Sequence, residues 1–242
     1  MLIKDLISQY VDTGIGIPRY QFDKLSSNDK RTYLRKMEIS IDENPSNLQY
    51  YYAVLPEEKL LAAVIKDAYS IQYIQDPSEE LQMVAVNNYG DSIQYITNPS
   101  EEVQLAAVKQ NGLVITYILD KGIKLSNEVQ MAAVKEDATA FVRMVLRGVV
   151  PSSEVVIEAL KHNPKLIKYA NTKSEEIQME LLKHNPKLLV NVNPQSENVQ
   201  MALVRKAAEL HDYEYVSYLR KPTNDVLMLL NQLNNKIMNI NI

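Results

Sequence analysis

The stretch Val103-Gln104-Leu105-Ala106-Ala107-Val108 decides the fold, because variants of it recur along the chain. Close copies are Leu81-Gln82-Met83-Val84-Ala85-Val86, Val129-Gln130-Met131-Ala132-Ala133-Val134 and Val199-Gln200-Met201-Ala202-Leu203-Val204. The last residues of the seven copies, called the anchors, are Val64, Val86, Val108, Val134, Leu160, Leu182 and Val204, spaced by 22, 22, 26, 26, 22 and 22 residues. Self-similarity at such a period is typical of tandem helical repeats.

Each repeat predicts a long helix followed by a shorter one. The segments Asp76-Pro77-Ser78-Glu79 and Asn98-Pro99-Ser100-Glu101 predict helix starts, with Asp76 and Asn98 as caps, proline at the first helical position and glutamate at the third. Gly90 and Gly112 are expected to end the long helix through a left-handed turn. The second helix is predicted in three similar segments, as one or two turns or as a 3₁₀ helix. These are Ile71-Gln72-Tyr73-Ile74, Ile93-Gln94-Tyr95-Ile96 and Ile115-Thr116-Tyr117-Ile118.

The long helix is apolar on nearly every face, and only Gln104 and Lys109 are expected to meet solvent in repeat three. Such a helix is typically packed between neighbours in a stack. The four-residue insertions add about one helical turn, which leaves the next repeat in phase. The sequence therefore predicts an all-α fold, an α-solenoid of about seven two-helix repeats spanning residues 41–222.

The unit from Glu102 to Gly112, followed by Tyr117, resembles a tandem-repeat family of unknown function whose pattern reads Glu-Val-Val-Leu-Ala-Ala-Val-Lys-x-Asn-Gly. The chain is more distantly similar to HEAT-like and leucine-rich-variant repeats. The resemblance covers roughly residues 45–230 and weakens near Leu160 and Leu182. It implies an α-solenoid and supplies no activity and no functional residue.

The two ends of the chain depart from the repeat. Residues 1–40 contain the loop Thr13-Gly14-Ile15-Gly16-Ile17-Pro18 and a basic run from Lys30 to Lys36. They are interpreted as an N-terminal cap over the first repeat or, alternatively, as a contact arm. Residues 223–242 are predicted to be a degenerate capping repeat with a tail that frays from Asn235.

Charge is unevenly distributed along the chain. Residues 1–36 carry a net charge of +3, residues 37–110 carry three Lys/Arg against twelve Asp/Glu for a net −9, and residues 111–242 carry +2. The acidic block argues against that segment following nucleic-acid phosphates. The chain has no cysteine, no signal-peptide pattern and no apolar run of membrane-spanning length, so we expect a cytoplasmic protein that does not enter membranes.

Candidates for chemistry are few. His162 and His184 occupy copies of one Lys-His-Asn-Pro-Lys turn and predict no metal site, which needs three or four convergent ligands. Paired carboxylates such as Glu79-Glu80 recur at helix starts and are interpreted as charges that favour the helix dipole. Gly14-Ile15-Gly16 lacks the rest of a nucleotide-binding motif. We therefore expect no enzyme, no cofactor and no metal.

A column of residues lies nine positions after each anchor and is called the ladder. Its predicted partner-binding members are Tyr73, Tyr95, Tyr117, Arg143 and Tyr169, with Gln72 and Gln94 beside them, and it continues at Asn191 and at Tyr218 if an insertion near Leu210 is skipped. Tyrosine and arginine dominate interface energetics, but half-buried spacer rings would give the same pattern.

The function predicted from these residues is a non-catalytic protein-binding scaffold. Its partner is expected to carry a basic patch that the acidic block attracts. A narrower version, suggested by resemblance and by an Asn/Lys/Ile-rich composition, is a phage or mobile-element inhibitor of a host protein. The alternative is nucleic-acid binding through lysines of the C-terminal half, namely Lys161, Lys165, Lys168, Lys183 and Lys187. A small-molecule or catalytic site in the groove is the third possibility, for which no residues were found.

Overall fold

The fold of the described chain is entirely helical. The structure, a computed structural model, describes residues 17–240, apart from the side chains of Pro45 and residues 234–240. No strand occurs in that range, which confirms the all-α class. Contacts divide the chain into two units between Ala132 and Ala133. Residues 1–16 of the predicted N-terminal cap or arm lie outside the described residues.

Every repeat contains a long α-helix that begins soon after the predicted start signal. These helices are Glu57–Lys66, Glu79–Asn88, Glu101–Gln110, Asn127–Glu136, Ser153–His162, Glu175–His184 and Glu197–Leu210. The last of them is four residues longer than the others, which accounts for the insertion noticed near Leu210, and it ends at His211 with a positive φ of 53°.

The predicted caps Asp76 and Asn98 are wrong by two residues. Ser78 and Ser100 are the N-caps, and their hydroxyls accept hydrogen bonds from Leu81 N and from Val103 N. Proline therefore precedes the cap rather than opening the helix. The same column of serines caps later helices, where Ser152 accepts from Val155 N and Ser196 from Val199 N. A side-chain oxygen here satisfies one of the otherwise unpaired amides of the first turn.

The second helix is a six-residue 3₁₀ helix in the 22-residue repeats, as predicted. These are Ala68–Tyr73, Gly90–Tyr95, Pro164–Tyr169 and Pro186–Asn191, and Tyr213–Tyr218 is the counterpart in repeat seven. In the two 26-residue repeats the second helix is α-helical, over Ile115–Asp120 and Thr139–Leu146. Gly122 (φ 74°) and Gly148 (φ 80°) then follow it in the left-handed region. The insertion thus lengthens the second helix and adds a glycine turn.

Gly90 has a different role from the predicted left-handed turn. The long helix ends because Tyr89 is extended (φ −154°), and Gly90 then begins the 3₁₀ helix. The left-handed glycines of the described chain are Gly122 and Gly148, so neither Gly90 nor Gly112 adopts the predicted turn. A Cβ on Gly90 would lie 2.9 Å from Ala107 O and 3.2 Å from Gln110 Cβ. Glycine is required because the next repeat approaches its backbone closely.

The anchors form the core, and all seven are buried. The expectation that Gln104 meets solvent is wrong, because it is only 7% exposed and its Nε2 donates to Pro99 O at 3.0 Å. A buried glutamine recurs four residues before the anchor, at Gln130, Gln178 and Gln200. Each donates to a backbone carbonyl in the loop before its own helix, which satisfies a buried acceptor.

In the first unit, the long helix Glu79–Asn88 packs between Glu57–Lys66 and Glu101–Gln110. Ahead of them lie the helices Arg19–Phe22, Ser27–Glu43 and Leu48–Tyr51, with a 3₁₀ turn at Pro45–Asn47. The buried rings of Phe22, Tyr33 and Tyr51 pack together there. Residues 17–40 therefore share an apolar cluster with the helix Leu48–Tyr51.

In the second unit, the long helices Ser153–His162, Glu175–His184 and Glu197–Leu210 pack in succession. The helix Asn224–Ile240 packs against Glu197–Leu210 and continues past Asn235, where the tail was expected to fray. Gln178 joins two of these repeats. Its Nε2 donates to Thr172 O and Pro194 O, and its Oε1 accepts from Ser196 N at 2.7 Å.

Candidate binding surface

The ladder residues lie on the short helices at equivalent positions. Tyr73, Tyr95, Tyr169, Asn191 and Tyr218 are each the last residue of their 3₁₀ helix. Tyr117 and Arg143 lie within the two α-helical versions. Arg143 and Tyr95 are exposed, Tyr73, Tyr117 and Tyr169 are half-buried, and Tyr218 is buried. The column therefore differs in exposure from repeat to repeat.

Tyr95 belongs to a cluster of rings that includes two residues outside the ladder. Its ring centroid is 5.7 Å from that of Tyr69 at an interplanar angle of 88°. The ring of Tyr89 is 5.0 Å from that of Tyr69 at 77°. Tyr89 and Tyr95 are 46% and 39% exposed, which leaves both rings accessible. We call Tyr69, Tyr89 and Tyr95, together with Asp91, the tyrosine recess.

Asp91 supplies the negative charge of the recess. Its Oδ2 accepts a hydrogen bond from Asn111 Nδ2 at 3.0 Å. Partial burial and the charge of Asp91 raise the pKa of Tyr117. The pKa of Tyr69 is raised by a hydrogen bond with Tyr89 and further by burial and by the charges of Tyr89 and Asp91. The raised pKa values keep the phenols of Tyr69 and Tyr117 protonated at neutral pH.

The side chains beside the ladder fold back onto their own helices. Gln72 Nε2 donates to Tyr69 O and Gln94 Nε2 to Asp91 O, both at 3.0 Å. Gln72 is exposed and Gln94 is half-buried. The side-chain nitrogens of both residues are therefore already used locally.

In the second unit, the ladder residues Arg143 and Tyr169 line one open cavity of about 410 Å³. Lys165 and Lys168 also line it, and Lys168 Nζ lies 4.9 Å from the Tyr169 ring centroid, within cation–π range. The ladder residues Arg143 and Tyr169 thus line the same cavity. Their surroundings are basic, in contrast to the acidic recess around Tyr95.

A second cavity of the same unit, of about 400 Å³, is mainly apolar. Its walls include Phe141, Val145, Val156 and Ile177, and Tyr169 lies at its side. Val150, which is 87% exposed, also lines it. This cavity lies where the 26-residue repeats give way to the 22-residue ones.

No family model, curated protein or solved structure matches this chain significantly. The tandem-repeat resemblance of the sequence therefore stays an expectation.

Three of the five repeated lysines form ion pairs. Lys161 Nζ is 3.1 Å from Glu158 and Lys187 Nζ is 3.3 Å from Glu214, while Lys183 pairs with Glu180. Burial alone would raise the pKa of Glu158, but the hydrogen bond and charge of Lys161 outweigh it and lower that pKa. Much of the positive charge in this column is therefore balanced locally.

The histidines make only local contacts. His162 Nε2 and His184 Nε2 each lie 3.4 Å from the glutamate one turn earlier, and both side chains are about half exposed. Over residues 17–240, no three His, Cys, Asp or Glu side chains converge in a way that would hold a metal ion. Likewise, no helix in that range is both long and apolar enough to cross a membrane.

Sequence reasoning missed Tyr69, Tyr89 and Asp91 as site residues, although one signal was present. Three residues after the anchor, five of the seven repeats carry an Asx residue, at Asp67, Asn111, Asp137, Asn163 and Asn185. Four of these five cap the following short helix with their side chains. Tyr89 replaces the Asx residue in repeat two and makes no side-chain cap. The replacement of Asx by Tyr89 is the sequence signal that marks the tyrosine recess.

Proposed function

We propose that this chain is a non-catalytic protein-binding scaffold whose repeats stack within each unit as in an α-solenoid. The observation that supports it most is the tyrosine recess, in which the exposed Tyr89 and Tyr95 rings pack against Tyr69, with Asp91 near enough to affect the pKa of Tyr69. Rigid tyrosine rings provide large contact areas at a low entropic cost, and they are enriched where proteins bind each other. The net charge of −9 over residues 37–110 favours a partner with a basic surface.

The location of the partner surface follows from the ladder. We propose that Tyr73, Tyr95 and Tyr117 contribute to it together with Gln72 and Gln94, and that Tyr69 and Tyr89 widen it in repeats one and two. In the second unit, Arg143 and Tyr169 would form a candidate surface of their own, with basic surroundings. A narrower form of the proposal is an inhibitor of a host protein, encoded by a phage or mobile element.

Capture from the native host tests the scaffold proposal. The parent chain and the Tyr95→Ala variant are immobilised in parallel, and retained proteins are identified by mass spectrometry. Tyr20→Ala is the matched control, because Tyr20 is 62% exposed but lies outside the ladder. We expect a basic protein retained by the parent and by Tyr20→Ala and lost from Tyr95→Ala. Equal retention by all three forms would contradict the proposed surface.

Nucleic-acid binding is the competing function, favoured by the cavity that Arg143, Lys165 and Lys168 line. Fluorescence anisotropy with a duplex DNA at physiological salt separates the two functions. Binding tighter than about micromolar with a steep salt dependence, lost in a Lys165→Glu and Lys168→Glu double variant, would favour nucleic acid. We expect no such binding, because neighbouring Lys161, Lys183 and Lys187 are neutralised by glutamates.

A further inference from the structure

In the tyrosine recess, the rings of Tyr89 and Tyr95 both contact the ring of Tyr69 edge to face. Tyr89 and Tyr95 each stand nearly perpendicular to Tyr69, at 77° and 88°. Among the described residues, Tyr89 and Tyr95 make their ring contacts with Tyr69 and not with each other. Two exposed rings therefore both pack against a third, half-buried ring.

The carboxylate beside these rings has no counter-ion in the described part of the chain. Asp91 accepts hydrogen bonds from the neutral amide of Asn111 and from the phenol of Tyr117, and no lysine or arginine of residues 17–240 forms an ion pair with it. Lys121, near the same repeat, is engaged elsewhere, because its Nζ donates to Ile93 O and Ile96 O. A carboxylate has room for about four hydrogen bonds, so Asp91 can accept more.

The recess also departs from the capping pattern of the other repeats. Tyr89 stands where four other repeats place an Asx residue whose side chain caps the short helix, and Tyr89 makes no such cap. Tyr89 is instead 46% exposed, with its ring packed against that of Tyr69. A role of Tyr89 in binding would explain why tyrosine replaces the Asx residue at this position.

We propose that the recess formed by Tyr69, Tyr89, Tyr95 and Asp91 receives the cationic end of a lysine or arginine side chain from the protein partner. This inference rests on the scaffold function proposed above and names the chemistry that the surface recognises. Aromatic faces attract ammonium and guanidinium groups within about 6 Å of the ring centroid. The Asp91 carboxylate adds a charge-assisted hydrogen bond, which is roughly twice as strong as a neutral one.

Small probes test the recess without a known partner. Tyrosine rings of the full chain are labelled with ¹³C and titrated by NMR with the N-acetyl methylamides of lysine, arginine and norleucine, the last being the neutral analogue. We expect the two cationic probes to shift the Tyr89 and Tyr95 resonances with dissociation constants on the order of millimolar, and the norleucine probe to bind at least about fivefold more weakly.

Substitutions of Tyr95 and Asp91 test whether the probes bind in the recess. Tyr95→Ala and Asp91→Asn are each expected to weaken the cationic probes about threefold to tenfold, which corresponds to roughly 0.6–1.4 kcal/mol. Tyr20→Ala is the matched control, because Tyr20 is 62% exposed and lies outside both the ladder and the recess. Tyr95→Leu keeps apolar bulk without the aromatic face and should weaken binding like Tyr95→Ala. Its unchanged melting temperature would show that folding is not the cause.

The outcomes that overturn the inference are distinct from those that overturn the scaffold function. Equal binding of norleucine and lysine probes would show an apolar patch, and unchanged binding in Asp91→Asn and Tyr95→Ala would place the cation elsewhere. Tetramethylammonium binding tenfold more tightly than either side-chain probe would assign the recess to a free small cation. If the probes fail but a partner protein is lost from Tyr95→Ala, this inference falls and the scaffold function stands.

Discussion

The ring of Tyr95 meets the ring of Tyr69 edge to face, 5.7 Å between centroids, although 26 residues separate them in the chain. Tyr69 lies five residues after its anchor and Tyr95 nine residues after the next one. Adjacent repeats therefore bring unlike positions together rather than like ones. The contacts of ladder residue Tyr95 therefore depend on a residue of the preceding repeat.

Tyr95→Ala should leave the fold intact, because the ring is 39% exposed and replacing an exposed side chain usually changes stability by less than about 1 kcal/mol. Tyr51→Ala is the contrasting variant, since that ring is fully buried and its loss should cost about 3–5 kcal/mol. Thermal unfolding followed by circular dichroism compares the two. A fall in melting temperature for Tyr95→Ala as large as that for Tyr51→Ala would show that the ladder is core.

Gln178→Leu should destabilise the second unit by about 2–4 kcal/mol. The substitution leaves Thr172 O, Pro194 O and Ser196 N buried or half-buried without their partner, and each such group costs about 1–3 kcal/mol. Urea unfolding measures the change. Gln82→Leu is the control, because Gln82 is half-buried and its side chain makes one hydrogen bond among the described residues, to Pro77 O. A larger loss for Gln82→Leu would contradict this account of the glutamine column.

Gly90→Ala should destabilise the first unit by about 1–3 kcal/mol, because the new Cβ would meet Ala107 O at 2.9 Å and force adjacent repeats apart. Gly122→Ala tests a different cost. Nothing lies within 4 Å of its added Cβ, so only the left-handed backbone (φ 74°) resists the change, by about 1–2 kcal/mol. A crystal structure of Gly90→Ala should show the two repeats displaced near Ala107. An unshifted backbone with parental stability would rule out the close-approach explanation.

Ser92→Ala should be neutral or stabilising, because the Ser92 hydroxyl is buried without a hydrogen-bond partner among the described atoms. Ala140 occupies the equivalent position, six residues after its anchor, in repeat four. Removing an unsatisfied buried hydroxyl relieves a desolvation cost. Ser100→Ala, which deletes an N-cap, should instead cost about 1 kcal/mol. Chemical denaturation distinguishes them, and a marked loss of stability in Ser92→Ala would reveal a partner for that hydroxyl.

Tyr218 should be among the last tyrosines to ionise. Its hydroxyl donates to Glu214 Oε1 at 2.6 Å, and this hydrogen bond raises the pKa of Tyr218 to about 12. Because the folded-state pKa lies above the unfolded value of about 10, the stabilisation is complete below pH 10 and is lost as the pH rises through about 12. Glu214→Gln should lower the pKa of Tyr218, as followed by the ultraviolet absorbance of the phenolate.

The control for that titration is Glu209→Gln, which removes an exposed carboxylate from the end of the preceding long helix. This substitution should leave the ionisation of Tyr218, which comes late in the titration, unchanged. Tyr218→Phe identifies the phase that belongs to this ring. If Glu214→Gln and Glu209→Gln give the same curve, the hydrogen bond to Glu214 is not what holds the proton on Tyr218.

The repeat period, the helical class, the long and short helices and the buried anchors such as Val108 could all be predicted from the sequence. These features depend on signals within about ten residues of one another, namely capping side chains, apolar periodicity and glycine or proline at helix ends. The caps were misplaced by two residues because Asx and Ser offer alternative cap oxygens on either side of one proline. Ser78 is closer to the first apolar turn and takes the role.

Two sets of contacts were decided by the tertiary structure alone, one within a repeat and one between adjacent repeats. Gln104 is polar and was expected to face solvent, but its burial beside Pro99 O depends on how the loop closes over the helix. Likewise, Tyr69 and Tyr89 joined Tyr95 and Asp91 because adjacent repeats pack with unlike positions in contact. A one-dimensional period specifies which residues are equivalent, whereas the offset between packed repeats specifies which residues touch. That offset is set by side-chain volumes and close approaches such as Gly90 against Ala107, which exist only once the chain has folded.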